Sequence, residues 1–435
     1  MNESLINILK ASDIARRMTR GALWSFTGAA LGKFFVLLTG IVCARILGKE
    51  GFGELGIVRS TLGMFIILGS GGIGVTATRF IAAYRANEKE HAAAIYKLSI
   101  VFATTLGLIT TLLLLGLSDV LAKSVLNSEK LTVPFIIGST VLLLSILNSS
   151  EDGTLIGLED FKSRAINILI ASIVESVGMV IGAYFLQLEG AVLGFASGLM
   201  ILYITNKRSA VKRLKTEQIP SHGVSIRKDD WKLIYQYSLP ATLSALMVTP
   251  VFWLIRSMLI HANGYGELGI FEAADQWKVI LLFIPGAISQ IILPILSSIT
   301  EPAKFIKTLL GNIVIIGLIS TGLAILIFFM APIIMPLYGK AFDDLTPLAY
   351  IAISTIPTAI SLILEMTLYS KDKMWISFAF NILWGVATVL LTYLFLQKGQ
   401  GAAGLALAIL AAYTFKMVCM GGYLFTNESN CHAQV

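Results

Sequence analysis

Charged residues are scarce in this chain, at 14% against 56% hydrophobic. Soluble domains carry roughly 25% charged residues, so little polar side chain is left to coat a water-facing surface. Cysteine is nearly absent. Cys43, Cys419 and Cys431 show no paired or metal-like spacing, and four histidines are scattered, so neither a disulfide framework nor a zinc site is expected. A signal-peptide pattern is missing too: the apolar stretch from Gly21 to Ala44 is too long, and no cleavage site follows it. No extramembrane loop exceeds about 27 residues, and the serine, histidine and acidic residues have no nucleophile spacing. No catalytic or metal-binding residues are expected, and the chain reads as a non-enzyme.

What is abundant is apolar sequence. Tracts long enough for the roughly 20 residues of a spanning helix are expected near 21–44, 55–78, 95–117, 132–157, 164–187, 189–206, 233–260, 267–297, 305–335, 345–369, 374–397 and 401–425. They are continuously apolar and do not alternate, which excludes an outer-membrane barrel and leaves helices, which satisfy their own backbone in lipid. The fold class is therefore an all-α integral membrane protein of about twelve transmembrane helices. The division expected is an amphipathic cytoplasmic segment at 1–20 (Ile8 to Met18 lying flat on the inner surface), a six-helix lobe at 21–205, a basic linker at 206–232, a second lobe at 233–425 and a tail at 426–435. With the N-terminus inside, inner segments hold 22 Lys and Arg and outer segments 6. That bias places both termini in the cytoplasm. The basic linker then reads as a topology determinant on an anionic leaflet, and no nucleic-acid partner is expected.

An internal repeat organises the two halves. Gly51-Phe-Gly-Glu-Leu-Gly-Ile57 recurs as Gly264-Tyr-Gly-Glu-Leu-Gly-Ile270, an offset of 213, and each copy follows the first span of its half. Six spans per half is an even number, so the lobes are parallel repeats related by a pseudo-twofold along the membrane normal, with a site expected between them near the midplane. Nine of the eleven prolines fall at or after Pro240, where in-span prolines fix static kinks or provide bends that flex. Gly69-Ser-Gly-Gly-Ile-Gly74 follows no strand and lacks a following Lys-Ser/Thr, so it reads as close helix packing and not as a phosphate loop. The pairs Gly178/Gly182 and Gly194/Gly198 read the same way.

Charges inside spans carry the functional information, because each is costly in hydrocarbon unless it faces water or a partner. Lys33 lies about twelve residues into the first span, roughly 16–18 Å deep, beyond what snorkelling covers, and is expected to face a wet cavity. Arg59 and Arg256 lie nearer span ends, where snorkelling explains them as well as a cavity does. Glu272, Asp275 and Lys278 follow at i,i+3 spacing on one face of the eighth span, either as a neutralised pair or as a cavity stripe. The 213 offset sets Glu272 opposite Arg59, so a salt bridge between them is a testable expectation. Glu175 and Glu365 are candidate proton or sodium sites, or simply buried protonated carboxyls.

Ala44-Arg-Ile-Leu-Gly-Lys-Glu-Gly-Phe-Gly53, Gly71-Gly-Ile-Gly74 leading to Thr78-Arg-Phe-Ile-Ala82, and the Gly-Tyr-Gly start of the eighth span resemble the polysaccharide repeat-unit flippases (O-antigen and exopolysaccharide) of the multidrug/oligosaccharidyl-lipid/polysaccharide exporter superfamily. The resemblance covers 21–425. It implies two six-helix lobes around a V-shaped cationic cavity of alternating access. It also implies translocation of polyprenyl-pyrophosphate-linked oligosaccharides across the bacterial inner membrane, often coupled to proton or sodium movement. No cofactor is implied. Lipid-linked oligosaccharide and membrane lipids are the implied partners, with a glycan polymerase and chain-length factor as further ones. Lys33, Arg59, Arg256 and Lys278 are the candidates for contacting pyrophosphate, and Glu175, Glu272, Asp275 and Glu365 for ion coupling or gating. The related lipid II flippases mostly carry Arg in such cavities. Lys33 and Lys278 depart from that, which weighs against bidentate phosphate clamping. A multidrug/cation antiporter of the same superfamily and a membrane-embedded glycan polymerase or ligase stay open as alternatives.

Overall fold

The computed structural model describes residues 3–220, 231, 239–297, 299, 301–371 and 373–432. Much of the expected linker (221–230 and 232), the start of the seventh span (233–238) and the last tail residues (433–435) lie outside the described residues. Among the described residues there are twelve α-helices and no strand: α1 (Glu3–Ser70), α2 (Ile73–Tyr84), α3 (Lys89–Val120), α4 (Thr132–Gly157), α5 (Phe161–Thr216), α6 (Leu239–Asn263), α7 (Tyr265–Leu281), α8 (Phe283–Ser297), α9 (Pro302–Tyr338), α10 (Thr346–Ser370), α11 (Met374–Gln397) and α12 (Gly401–His432).

Two of these helices are too long for one crossing. The apolar part of α1, Leu23–Ser70, has 48 residues, about 72 Å of helix at 1.5 Å per residue against a hydrocarbon core of roughly 30 Å. It breaks at Gly48, where φ is 70° and ψ 177°. A side chain would strain that backbone, and the residue turns one span directly into the next. In α5 the break is at Leu186 and Gln187. Eight described helices are long and apolar enough to cross a membrane, and two of them fold into pairs, so this is a multi-pass membrane protein. Large apolar side chains such as Leu318, Phe329 and Ile333 stand exposed on α9, as a lipid-facing surface requires.

Several boundaries differ from expectation. Residues 3–20 continue α1 without a break. The second span ends at Ser70, where Gly71 and Gly72 take positive φ and α2 starts separately. The eighth span is interrupted at Leu282 and splits into α7 and α8. Pro285 accounts for that break: it has no N–H to donate to the Leu281 carbonyl and its ring crowds the preceding turn, so it sits in the first turn of α8.

By contact, the chain divides into two compact units: residues 1–36, 62–120 and 132–246, and residues 37–61, 121–131 and 247–435. Within the first unit, Gly74 and Gly153 bring α2 and α4 into backbone contact, and the Thr78 hydroxyl donates to both their carbonyls at 2.9 and 3.1 Å. The two limbs of α5 close on Gly178, Gly182, Gly190 and Gly194, whose backbones touch with no room for a methyl group. Both glycine groups therefore serve packing, as their sequence context predicts. A buried amide ladder crosses the same unit: Asn167 donates to Asn206 at 2.9 Å and to Ser209 at 3.0 Å, and Asn206 to Asn148 at 2.9 Å.

Within the second unit, residues 37–61 pack on α6 and α7. The Trp253 indole donates to Thr61 at 2.9 Å, and Tyr338, bonded to both Gln276 and the Trp277 indole at 3.1 Å, packs with Phe52 and Phe342. The Glu267 carboxylate accepts from the Ala402 amide at 2.7 Å and so caps the start of α12.

Candidate functional site

The repeated glycine segments meet each other in the second unit. A methyl group at Gly53 would overlap the Tyr265 carbonyl, and one at Gly269 would overlap the Lys49 carbonyl. Residues 49 and 265, and 53 and 269, are each 216 apart, as are the two left-handed break residues Gly48 and Gly264. The structural repeat is thus three residues out of step with the 213 spacing of the matching letters. Under the structural register Glu272 corresponds to Gly56, not to Arg59, and its side chain lies on Gly56, where a Cβ would stand 2.5 Å from Cγ.

That placement aims Glu272 at α6. Arg256 is buried and donates from Nε to Glu272 at 2.6 Å, from Nη2 to Asp275 at 2.8 Å and from Nη1 to the Phe252 carbonyl at 3.2 Å. Its guanidinium also stands 5.3 Å from the Phe271 ring centroid. Removed from water, a fork-shaped cation with two carboxylates is near saturation. Arg256 therefore holds both acids of the stripe while offsetting one of their two charges, and the ion pair of Asp275 is with Arg256 and not with Lys278.

Lys278 is buried as well, but its ammonium stands over two rings, 4.8 Å from the Phe252 centroid and 5.2 Å from that of Tyr413. Among the described residues no carboxylate lies within ion-pair distance of it. Trp384 closes the group, 5.0 Å from Tyr413 and 5.7 Å from Phe252, and its buried indole nitrogen has no hydrogen-bond partner. A cation held by ring quadrupoles keeps its charge available, and an orphaned buried donor is costly. The Trp384 N–H, without an acceptor, thus belongs to the same group of rings that surrounds the Lys278 ammonium.

Glu365 belongs to a separate cluster of the same unit. Its carboxylate pairs with Lys416 at 3.3 Å and accepts from Asn381 at 2.8 Å, Tyr369 at 3.0 Å and Ser377 at 3.1 Å, while Lys416 donates to Asn381 at 2.6 Å. Sequence reading missed Lys416 and Asn381. The only signal was one more charge inside an apolar span. Breaking such a pair strands the other ion, so Glu365→Ala is expected to cost about 3–5 kcal/mol and Lys416→Met added to it to recover most of that. Unfolding midpoints in detergent measure both, and a single variant as stable as the parent would leave the pair without a structural role.

Lys33 and Glu175 lie half-buried in the first unit, the Glu175 stem against Gly198, and Arg59 lies half-buried in the second.

Residues 18–300 match the model of the family described as "Polysaccharide biosynthesis protein". An EPS I polysaccharide export inner membrane protein of Ralstonia nicotianae is 29% identical over 43% of this chain and 44% of its own length, so the chain matches less than half of that relative. A candidate O-antigen transporter of Shigella flexneri is 23% identical over 71% of this chain and 76% of its own. In fold, an inward-facing multidrug resistance MATE family transporter of the MOP superfamily matches with a TM-score of 0.79 at 17% identity, over 92% of this chain and 95% of that one. An outward-facing MATE structure matches at 0.72 and 18% identity, over 95% and 96%. The fold is that of this transporter superfamily, as the sequence motifs lead one to expect, and the chain belongs to the polysaccharide biosynthesis protein family.

Proposed function

We propose that the chain is a flippase that carries polyprenyl-pyrophosphate-linked oligosaccharide repeat units across the bacterial inner membrane, with both termini in the cytoplasm. Family membership and the names of the polysaccharide exporters it resembles support a transporter of this cargo and not an enzyme. The carrying observation is a buried cation, Lys278, set against the Phe252 and Tyr413 rings, with the Trp384 N–H beside them lacking an acceptor. Pyrophosphate and sugar hydroxyls are acceptor-rich, and positive charge makes their passage through hydrocarbon tolerable. Lys33 and Arg59 are further candidates for contacting pyrophosphate, while Arg256 is set aside as a partner of Glu272 and Asp275.

Ion coupling works through the paired carboxylates. A proton or sodium ion that reaches Glu272 or Asp275 competes with Arg256 and weakens the hold between α6 and α7, so the ion and the cycle are linked. Glu365, held by Lys416, and Glu175 are the further candidates for such exchange.

Lys278→Ala is expected to reduce translocation of the lipid-linked repeat unit by tenfold or more at equal expression, and Lys278→Arg to retain part of it. Everted vesicles scored for lumenal glycan measure this directly. Full activity of the alanine variant, or efflux of cationic drugs in its place, would remove the reading.

A further inference from the structure

The first unit contains a fully buried carboxyl group, Glu151, for which the transport reasoning has no use. It lies in α4, within two turns of the helix end at Gly157. The next residue, Asp152, is held by Arg164 at 2.6 and 3.0 Å. Glu151 has no such counter-ion: among the described residues, no Lys or Arg lies within ion-pair distance of it. What it has is the Tyr96 hydroxyl of α3, 3.3 Å from each carboxylate oxygen. From α5, Tyr203 and Lys207 are turned towards this pair, but the exposed Lys207 ammonium is bonded to the Tyr203 hydroxyl at 3.2 Å. The ionisable side chains of α2 are Arg79 and Tyr84, and neither acts on Glu151. Two further buried hydroxyls, Ser150 beside it in sequence and Ser99 one turn from Tyr96, have no partner and so do not donate to the carboxylate.

The geometry distinguishes an acid from an anion. An ionised carboxylate shut away from water without a counter-ion is costly, and such a group takes up a proton instead. A hydroxyl donating to an anion would close to about 2.5–2.7 Å, and Tyr96 stands well beyond that from both oxygens. Tyr96 is itself only partly buried. It lies at the end of the unit whose basic residues, Lys97 and Lys207 among them, the sequence assigns to the cytoplasm. We infer that Glu151 is a proton-binding site reached from the cytoplasmic side through Tyr96. The phenol hands its own proton to a Glu151 oxygen as its oxygen takes another from water, so Tyr96 ends unchanged and the carboxyl is neutral. That the proton is exchanged during the cycle rests on the flippase reading; that it is bound does not.

The purified full chain, reconstituted in lipid, is stepped in pH and followed by infrared difference spectroscopy of the carboxyl C=O stretch. The parent is expected to show a protonated-carboxyl band at neutral pH that alkaline pH removes and that Glu151→Gln abolishes. Glutamine has the shape of the neutral acid, so Glu151→Gln should keep the parental unfolding midpoint, and the exposed Lys207→Gln should keep both midpoint and band. Tyr96→Phe should keep the band but slow its shift in deuterium oxide, which a merely structural tyrosine would leave unchanged. No such band in the parent, a band untouched by Glu151→Gln or one that never exchanges overturns the inference. So does a fall in midpoint with Lys207→Gln, which would make Lys207 the counter-ion of a charged Glu151. The infrared measurement needs no cargo, so an intact band without glycan translocation removes the flippase reading alone.

Discussion

Arg256→Ala is expected to be the most damaging single substitution in the second unit. The guanidinium is the hydrogen-bonded counter-ion of both Glu272 and Asp275, and all three side chains are largely buried. Removing it leaves two carboxylates side by side in a medium that solvates neither, at a cost of about 3–5 kcal/mol against a total stability of roughly 5–15. The loss should show as a lowered unfolding midpoint in detergent and a poor yield. Removing the stranded charges tests the cause: Arg256→Ala with Glu272→Gln and Asp275→Asn should recover most of the deficit, because amides are far cheaper to bury than charges. Arg256→Lys should fall between, since one ammonium cannot fork to two acceptors. An alanine variant with the parental midpoint would show that the carboxylates are already protonated or hydrated.

Gly269→Leu should have the second largest effect, on transport more than on folding. Any side chain there meets the Lys49 carbonyl, and backbone cannot step aside as a flexible side chain can. Overpacking of this kind costs about 1–3 kcal/mol. If only one state of the cycle has this contact, that whole penalty falls on that state, and each 1.4 kcal/mol shifts its population about tenfold. Translocation is therefore expected to fall by roughly ten- to a hundredfold while the protein still purifies as folded. A short-linker cross-link between Lys49→Cys and Gly266→Cys should form in the parent background and fail beside Gly269→Leu. Unimpaired translocation with the cross-link gone would mean that the contact plays no part in the cycle.

Much of the fold was legible. Apolar tracts mark the spans because lipid leaves the backbone no other partner, and the glycine heptads mark where each half turns from its first span into its second. The register between the halves was not legible. Matching letters align at 213, but the contacting atoms are main-chain carbonyls at 49 and 265, and these leave no trace in residue identity. The i,i+3 stripe of Glu272, Asp275 and Lys278 was visible. That Arg256 would claim both acids and leave Lys278 to two aromatic rings depended on how α6 faces α7, which spacing along one helix does not encode. Lys416 escaped notice because it lies 51 residues from Glu365 and looks like an isolated charge until the helices are packed.

The meeting of the two glycine segments has a consequence for how the halves can diverge. Since main chain touches main chain there, the flanking side chains are released from any need to match across the pseudo-symmetry. One copy is free to recruit Arg256 and Glu272 where the other keeps Gly40 and Gly56. Asymmetric chemistry can thus accumulate around a joint that remains symmetric, and the joint itself can tolerate almost any drift except the addition of a single carbon.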